Sequence, residues 1–261
     1  MEYRIGCSSW SYSVWSGHFY PSKMEAGQYL SYYSRIFDTV EIDSSFYRIP
    51  NVFMTQRWAS VTPENFKFTA KFPRTLTHNR RLAEPEKDLG YWFKSFAPLK
   101  DKLAAFLIQL PPSLSFKEGF KKLQVLVPQL DNSYRYAIEF RHETWFTEEV
   151  YGFLSDNKIC LTWSIVDAIK TPPKATTDFL YVRFKGDRSI DEKDFGTIQK
   201  DREKEMQQWA RRIKKLKEMR LSIIIASNHF AGFGPGTANI FRKMVGLPEG
   251  SWEEMKQTKL A

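Results

Sequence analysis

The chain has 261 residues, a net charge of +9 and an ordinary globular balance, 42% hydrophobic and 26% charged. That length suits one barrel domain over residues 1–261, with no interdomain linker, repeat or low-complexity tract in view. No apolar run approaches about 18 residues and no signal-peptide pattern opens the chain, which excludes a transmembrane helix and points to a cytoplasmic protein. Two cysteines, Cys7 and Cys160, are too few for a disulfide framework and read as reduced core thiols.

In chain order, strand-like runs fall at residues 3–9, 39–46, 66–72, 103–110, 134–141, 159–164, 179–185 and 221–228. Helical patterns occupy most of the gaps, at 25–37, 51–60, 89–100, 116–129, 147–156, 203–219 and 237–245. The clearest is 203–219, where Met206, Trp209, Ile213 and Leu216 form one apolar stripe. Residues 165–178 contain Pro172–Pro173 and no stripe, so an irregular loop is expected where the sixth helix would stand. Eight strand–helix units predict a TIM-type (β/α)8 barrel of the α/β class. An open doubly wound sheet is the alternative, but no glycine-rich phosphate loop follows the first strand.

Alternate residues of a strand face opposite ways. With the apolar partners Val40, Ile42, Phe68, Ala70, Ile138, Phe140, Val182 and Phe184 facing the helices, Glu41, Asp43, Lys71, Glu139, Arg141, Arg183 and Lys185 face the barrel axis. The same reasoning sends Asn228 inward. These polar groups lie near the C-terminal strand ends, where barrel active sites sit. Such charges either neutralise one another or serve a ligand; a buried salt-bridge network is a poor stabiliser, which favours the ligand.

Loops add further candidates. Residues 10–21 carry five aromatics, among them Trp10, suited either to stacking on a flat group or to plugging the barrel. His78, His142 with Trp145, and His229 follow strand ends; they are either hydrogen-bonding loop residues or, with Glu41, Asp43 or Glu139, scattered metal ligands. Gly232, Gly234 and Gly236 precede a helix start and could hold an anion beside Arg183 and Lys185. Arg211, Arg212, Lys214, Lys215 and Lys217 read as a solvated helix end, with a nucleic-acid patch as the alternative.

The stretches WSYSVWSGHFYP, FDTVEIDSSFYRIP, FKFTAKFPRTLTH, LIQLPPS, AIEFRHETW, FLYVRFKG and SNHFAGFGPGTA, in this order, resemble the domain of unknown function 72, or YecE-like, family. The resemblance implies a TIM-type barrel and no established activity. Its motif positions fall on Trp10, Glu41, Asp43, Lys71, His78, Gln109, Glu139, Arg141, His142, Trp145, Asp167, Arg183 and Gly186. Two departures weaken any metal site that uses the seventh and eighth predicted strands: Lys185 stands where a histidine is usual, and Ser227–Asn228 replaces a pair of asparagines.

The leading expectation is an enzyme acting on a small or oligomeric anionic, phosphate-bearing substrate, with hydrolysis placed slightly ahead of isomerisation. Asp43, Lys71, Glu139 and His142 are the candidate catalytic residues, with Asp43 or Glu139 as general base. Trp10, Glu41, His78, Arg141, Trp145, Arg183, Lys185 and Asn228 are the candidate binding residues. The alternatives are a nucleic-acid-binding or processing protein and a non-catalytic ligand-binding barrel. The sequence assigns no metal, cofactor or oligomeric state.

Overall fold

The computed structural model describes residues 1–252 except Asp167 and Asp187. Its strands are β1 (Glu2–Ser8), β2 (Thr39–Ile42), β3 (Lys67–Lys71), β4 (Leu103–Gln109), β5 (Tyr136–Glu139), β6 (Ile159–Leu161), β7 (Trp163–Val166), β8 (Ile169–Lys170), β9 (Phe179–Phe184) and β10 (Leu221–Ala226). They form one sheet in the order β6-β5-β4-β3-β2-β1-β10-β9-β7-β8, parallel throughout except for β8. Only Thr162 separates β6 from β7. The first half of this broken strand pairs with β5 and the second half with β9, so nine parallel strands make a nearly closed barrel. The predicted eight positions are met when β6 and β7 count as one interrupted strand.

Helices α1 (Tyr29–Tyr33), α2 (Val52–Ser60), α3 (Glu86–Phe96), α4 (Phe116–Leu126), α5 (Glu148–Asp156) and α6 (Glu203–Lys214) lie between the strands, and α7 (Asn228–Ala231) and α8 (Gly234–Val245) follow β10. The helix expected at 203–219 stops at Lys214, and the one expected at 237–245 starts three residues earlier. As expected, no helix stands among the described residues of 165–178. The chain turns back as β8, antiparallel to β7, and is then pinned along the barrel: Trp163 Nε1 donates to Lys174 O at 2.8 Å and Leu161 N to Thr176 Oγ1 at 2.8 Å. Pro172 and Pro173 lack N–H donors, so a helix there would leave its own carbonyls unsatisfied. No helix among the described residues is long and apolar enough to cross a membrane.

The strand parity holds. Ala105, Leu107, Ala137, Cys160, Phe179, Tyr181, Ile223 and Ile225 fill the barrel interior as one buried cluster. Val40, Ile42, Phe68, Ala70, Ile138, Val182 and Phe184 belong to the larger cluster under the helices. Cys7 and Cys160 therefore lie on opposite sides of the barrel wall, both buried and free. Burial pushes each thiol up to about 12. Both are expected to resist a thiol reagent in the native protein and to react fully on unfolding without reductant; a protein that yields fewer than two thiols when unfolded contradicts this.

Candidate functional site at the barrel mouth

Strand register places the polar layer. Ser8 pairs with Glu41, Glu41 with Thr69, Gln109 with Glu139, and Ser164 with Arg183. At the centre is Arg183, with no exposed surface. Its Nη2 donates to Glu41 Oε1 at 2.5 Å and its Nη1 to Glu139 Oε2 at 2.6 Å, with Gln109 Oε1 at 3.2 Å. Glu41 also accepts from Ser8 Oγ at 3.0 Å and from Tyr181 Oη at 2.8 Å, and Tyr181 in turn meets Thr69 Oγ1 at 2.7 Å. Glu139 takes a further bond from Arg141 Nε and one from Ser164 Oγ at 3.2 Å. Burial opposes the charge on Glu139, but Arg141 and Arg183 outweigh it and hold its pKa at about 2.

Above this floor lies a looser, partly open layer. Lys71 Nζ stands 3.4 Å from Asp43 Oδ1 and 3.7 Å from the Phe46 ring centroid, and Arg183 Nη2 is 3.8 Å from Asp43. Asp43 Oδ1 is buried yet accepts no hydrogen bond from a described residue. Despite burial, the charges of Lys185, Lys71 and Arg183 hold the Asp43 carboxyl well below the usual carboxylate range. Lys185 is half-buried, and its side chain makes no hydrogen bond or ion pair with a described residue. Desolvation and the neighbouring Arg183 bring its pKa down to about 8. His78 packs edge-on to Phe46 at 4.8 Å; burial and the charges of Lys71, Arg74 and Arg141 push it down to about 4, so it is neutral at neutral pH.

Two features place Lys185. Its N–H and that of Gly186 both donate to Ile165 O, at 3.1 and 3.3 Å, which extends the pairing of β9 with β7. Gly186 then turns with φ +70°, and a Cβ there would lie 2.2 Å from His229 O. Gly186→Ala is expected to cost roughly 1–3 kcal/mol by forcing a strained backbone apart from its neighbour; an unchanged urea midpoint would show that the turn gives way freely.

Not every residue expected at the site is there. Trp145 is fully buried, stacked on Phe140 at 4.5 Å, with Nε1 donating to Leu114 O at 2.7 Å; it is a core residue and cannot touch a ligand. Trp10 packs on Trp58 at 5.4 Å and on Phe68 at 6.5 Å, on the helix side of β3, so it does not cover the barrel mouth. His142 caps the turn at residues 143–145, its Nδ1 accepting from Thr144 N at 3.3 Å, and takes no part in the charge network. Asn228 opens α7 instead of closing β10. Its Oδ1 accepts from Trp15 Nε1 at 3.2 Å and from Gly234 N at 2.8 Å, tying two loops together. That bond also turns the glycine loop away: Gly234 sits against Cys7 and Trp15, outside the barrel wall. The predicted meeting of this loop with Arg183 and Lys185 is therefore not realised, and Arg183 is already taken by Glu41 and Glu139.

The aromatic loop neither plugs the barrel nor offers its buried rings to a ligand; it packs into the outer cluster under the helices. Trp15, Phe19 and Tyr20 are fully buried, with Tyr20 stacked on Tyr29 of α1 at 4.0 Å. Among the described residues no three His, Cys, Asp or Glu side chains gather to hold a metal. The basic run at the end of α6 is at the opposite, N-terminal end of the strands, since it leads into β10. Arg212 there lies over the Trp209 ring at 4.6 Å and Lys214 bonds Met244 O at 2.8 Å. Asp167 lies outside the described residues.

Sequence reasoning did not single out Ser8, Ser164 or Tyr12. Alternation along β1 and β7 marks both serines as inward. Tyr12 had no such signal: it comes from the aromatic loop, its hydroxyl donates to Ser8 O at 3.2 Å, and burial followed by the charge of Asp43 raises its pKa.

The model of the family described as "Protein of unknown function DUF72" matches residues 4–260. The UPF0759 protein YecE of Escherichia coli (strain K12) is 26% identical over 144 residues, covering 55% of this chain and 50% of YecE. The UPF0759 protein YunF of Bacillus subtilis (strain 168) is 32% identical over 146 residues, covering 52% of this chain and 51% of YunF. The chain spans about half the length of the curated relatives it matches. The crystal structure of a DUF72 family protein from Thermotoga maritima MSB8 superposes with a TM-score of 0.80 at 26% identity, covering 94% of this chain and 99% of that one. A DUF72 family protein from Enterococcus faecalis V583 gives 0.76 at 22% identity, covering 95% and 98%, and supports the fold alone.

Proposed function

The chain belongs to the DUF72 family, and from the charges at its barrel mouth we propose that it binds a small anionic ligand there, phosphate-bearing in the simplest case. One observation carries this reading. Among the described residues of the mouth, the cations Lys71, Arg141, Arg183 and Lys185 face three carboxylates, Glu41, Asp43 and Glu139. Arg183 takes both buried glutamates, and Arg141 shares one of them. Asp43 is left loosely held, by Lys71 at 3.4 Å and by the charges of Lys185 and Arg183, and Lys185 makes no close ion pair with a described carboxylate. Holding an ammonium in a desolvated site next to other cations is unfavourable. An anion would relieve it, with Lys71, Lys185 and Arg141 as the donors within the open layer.

The roles assigned from sequence shift accordingly. Glu139 is too deeply buried and too acidic to act as general base, and Glu41 has both oxygens occupied. Asp43 is the carboxylate that a ligand can reach, but it is a weak base. General-base hydrolysis thus loses its best candidate, and Lys185 becomes the group poised to exchange a proton near neutral pH.

Inorganic phosphate tests the reading. At a concentration of about 100 times its Kd, phosphate is expected to stabilise the protein by about 2.7 kcal/mol, a rise of roughly 5–10 °C in the thermal midpoint. Lys185→Met is expected to abolish the rise. The same substitution should also raise the ligand-free stability by about 1–2 kcal/mol at neutral pH, the shift being discounted for the partial exposure of the side chain, because it removes a charge that the folded state disfavours. This cost is present below about pH 8 and is relieved as pH rises from the folded value towards 10.5. No response to phosphate at matched ionic strength would sink the proposal.

A further inference from the structure

We propose that the anion carries an aldehyde or ketone, and that Lys185 captures this carbonyl as a Schiff base; this rests on the anion-binding reading above. The geometry singles out Lys185 among the basic residues of the mouth. Arg141 and Arg183 are guanidinium groups engaged with Glu139, and Lys71 is held between Asp43 and the Phe46 ring. Lys185 alone combines partial exposure with no described hydrogen-bonding partner, at the C-terminal end of a barrel strand. The titratable groups that face it are Arg183, Lys71, Asp43, Glu41, Glu139 and, from α7, His229. A lysine that is desolvated and set beside other cations carries a larger share of free amine, the nucleophilic form. With its pKa at about 8, a sizeable minority of Lys185 is neutral at neutral pH.

The chemistry balances without an oxidant or reductant. The ammonium first loses a proton to solvent at the open mouth, and the Nζ lone pair then adds to the carbonyl carbon. The carbonyl π electrons move onto oxygen, which takes one of the two protons on the now positively charged nitrogen, giving a neutral carbinolamine with the nitrogen lone pair restored. A second proton, from the Lys71 ammonium, lets that oxygen leave as water while the nitrogen lone pair forms the C=N bond. Lys71 recovers its proton from solvent. Overall one ammonium and one carbonyl give one protonated imine and one water, with the charge unchanged. The anionic part of the ligand remains for Lys71 and Arg141 to hold.

The test is reductive trapping of the wild-type protein with glyoxylate, a small anionic aldehyde, and cyanoborohydride at neutral pH, followed by peptide mass mapping. Lys185 is expected to label on the order of 10-fold or more faster than the exposed Lys193 and Lys243. Inorganic phosphate should slow that labelling selectively, and Lys185→Arg should remove it while the other lysines label as before. Labelling of Lys185 no faster than of Lys193, or preferential labelling of Lys71, overturns the proposal. The two readings are separable: if phosphate still raises the thermal midpoint, the imine fails and the anion site stands; if it does not, both fall.

Discussion

Arg183→Met is expected to destabilise the protein by about 3–5 kcal/mol, lowering its thermal midpoint by roughly 6–20 °C. Arg183, Glu41 and Glu139 each have no exposed surface, so removing the guanidinium leaves carboxylates that water cannot reach. Glu139 keeps Arg141, whereas Glu41 keeps only the hydroxyls of Ser8 and Tyr181. Most of the loss should therefore come through Glu41, and adding Glu41→Gln to Arg183→Met should recover much of it. Desolvation offsets much of the attraction in a buried triad, so a well-packed apolar replacement of all three groups could match the native stability. Such a triad serves better to fix the floor of a ligand site than to hold the barrel closed. A loss below about 1 kcal/mol for Arg183→Met would mean that the mouth is open to water down to Glu41.

The acid limb of the stability curve should show the same network. Glu139 has a folded pKa of about 2 against 4.5 for the free side chain. A depressed carboxyl stabilises the fold above its unfolded value, and that contribution is lost as pH falls through the folded one. About 3 kcal/mol is thus expected to be present above about pH 4.5 and to disappear progressively towards about pH 2. Asp43, lowered in the same direction, deepens the loss. Denaturant unfolding across that range measures it directly, and Arg183→Met should flatten the slope in part, because one of the two cations that lower Glu139 is gone while Arg141 remains. A wild-type stability that stays level from about pH 5 to about pH 3 would contradict the depressed carboxyl.

Much of the site was legible because the side-chain period of a strand is two. Alternation along β2, β3, β5 and β9 is enough to place Glu41, Asp43, Lys71, Glu139, Arg141, Arg183 and Lys185 on one side. The register needed to bring them together follows from the apolar residues opposite. Where the expectation failed, the residue lay beyond a strand end. Asn228 falls one residue past Ser227, in a helical turn, and faces where that turn sends it. Trp10, His142 and Trp145 belong to loops whose path depends on what they pack against. A loop tryptophan can stack on a ligand or on Phe140 with equal local plausibility; only the cavity that receives it decides.

The amino-acid sequence by itself determined the barrel, the irregular sixth connection at Pro172–Pro173 and the set of charges facing the axis, because strand alternation and proline chemistry are local. Which charges neutralise which was decided only by the tertiary structure. Pairing Arg183 with both Glu41 and Glu139 needs residues 142 and 44 positions apart to meet, and their separation is set by barrel closure. That closure makes Arg183 part of the floor and leaves Lys185, two residues further along the same strand face, with no side-chain ion pair to a described residue.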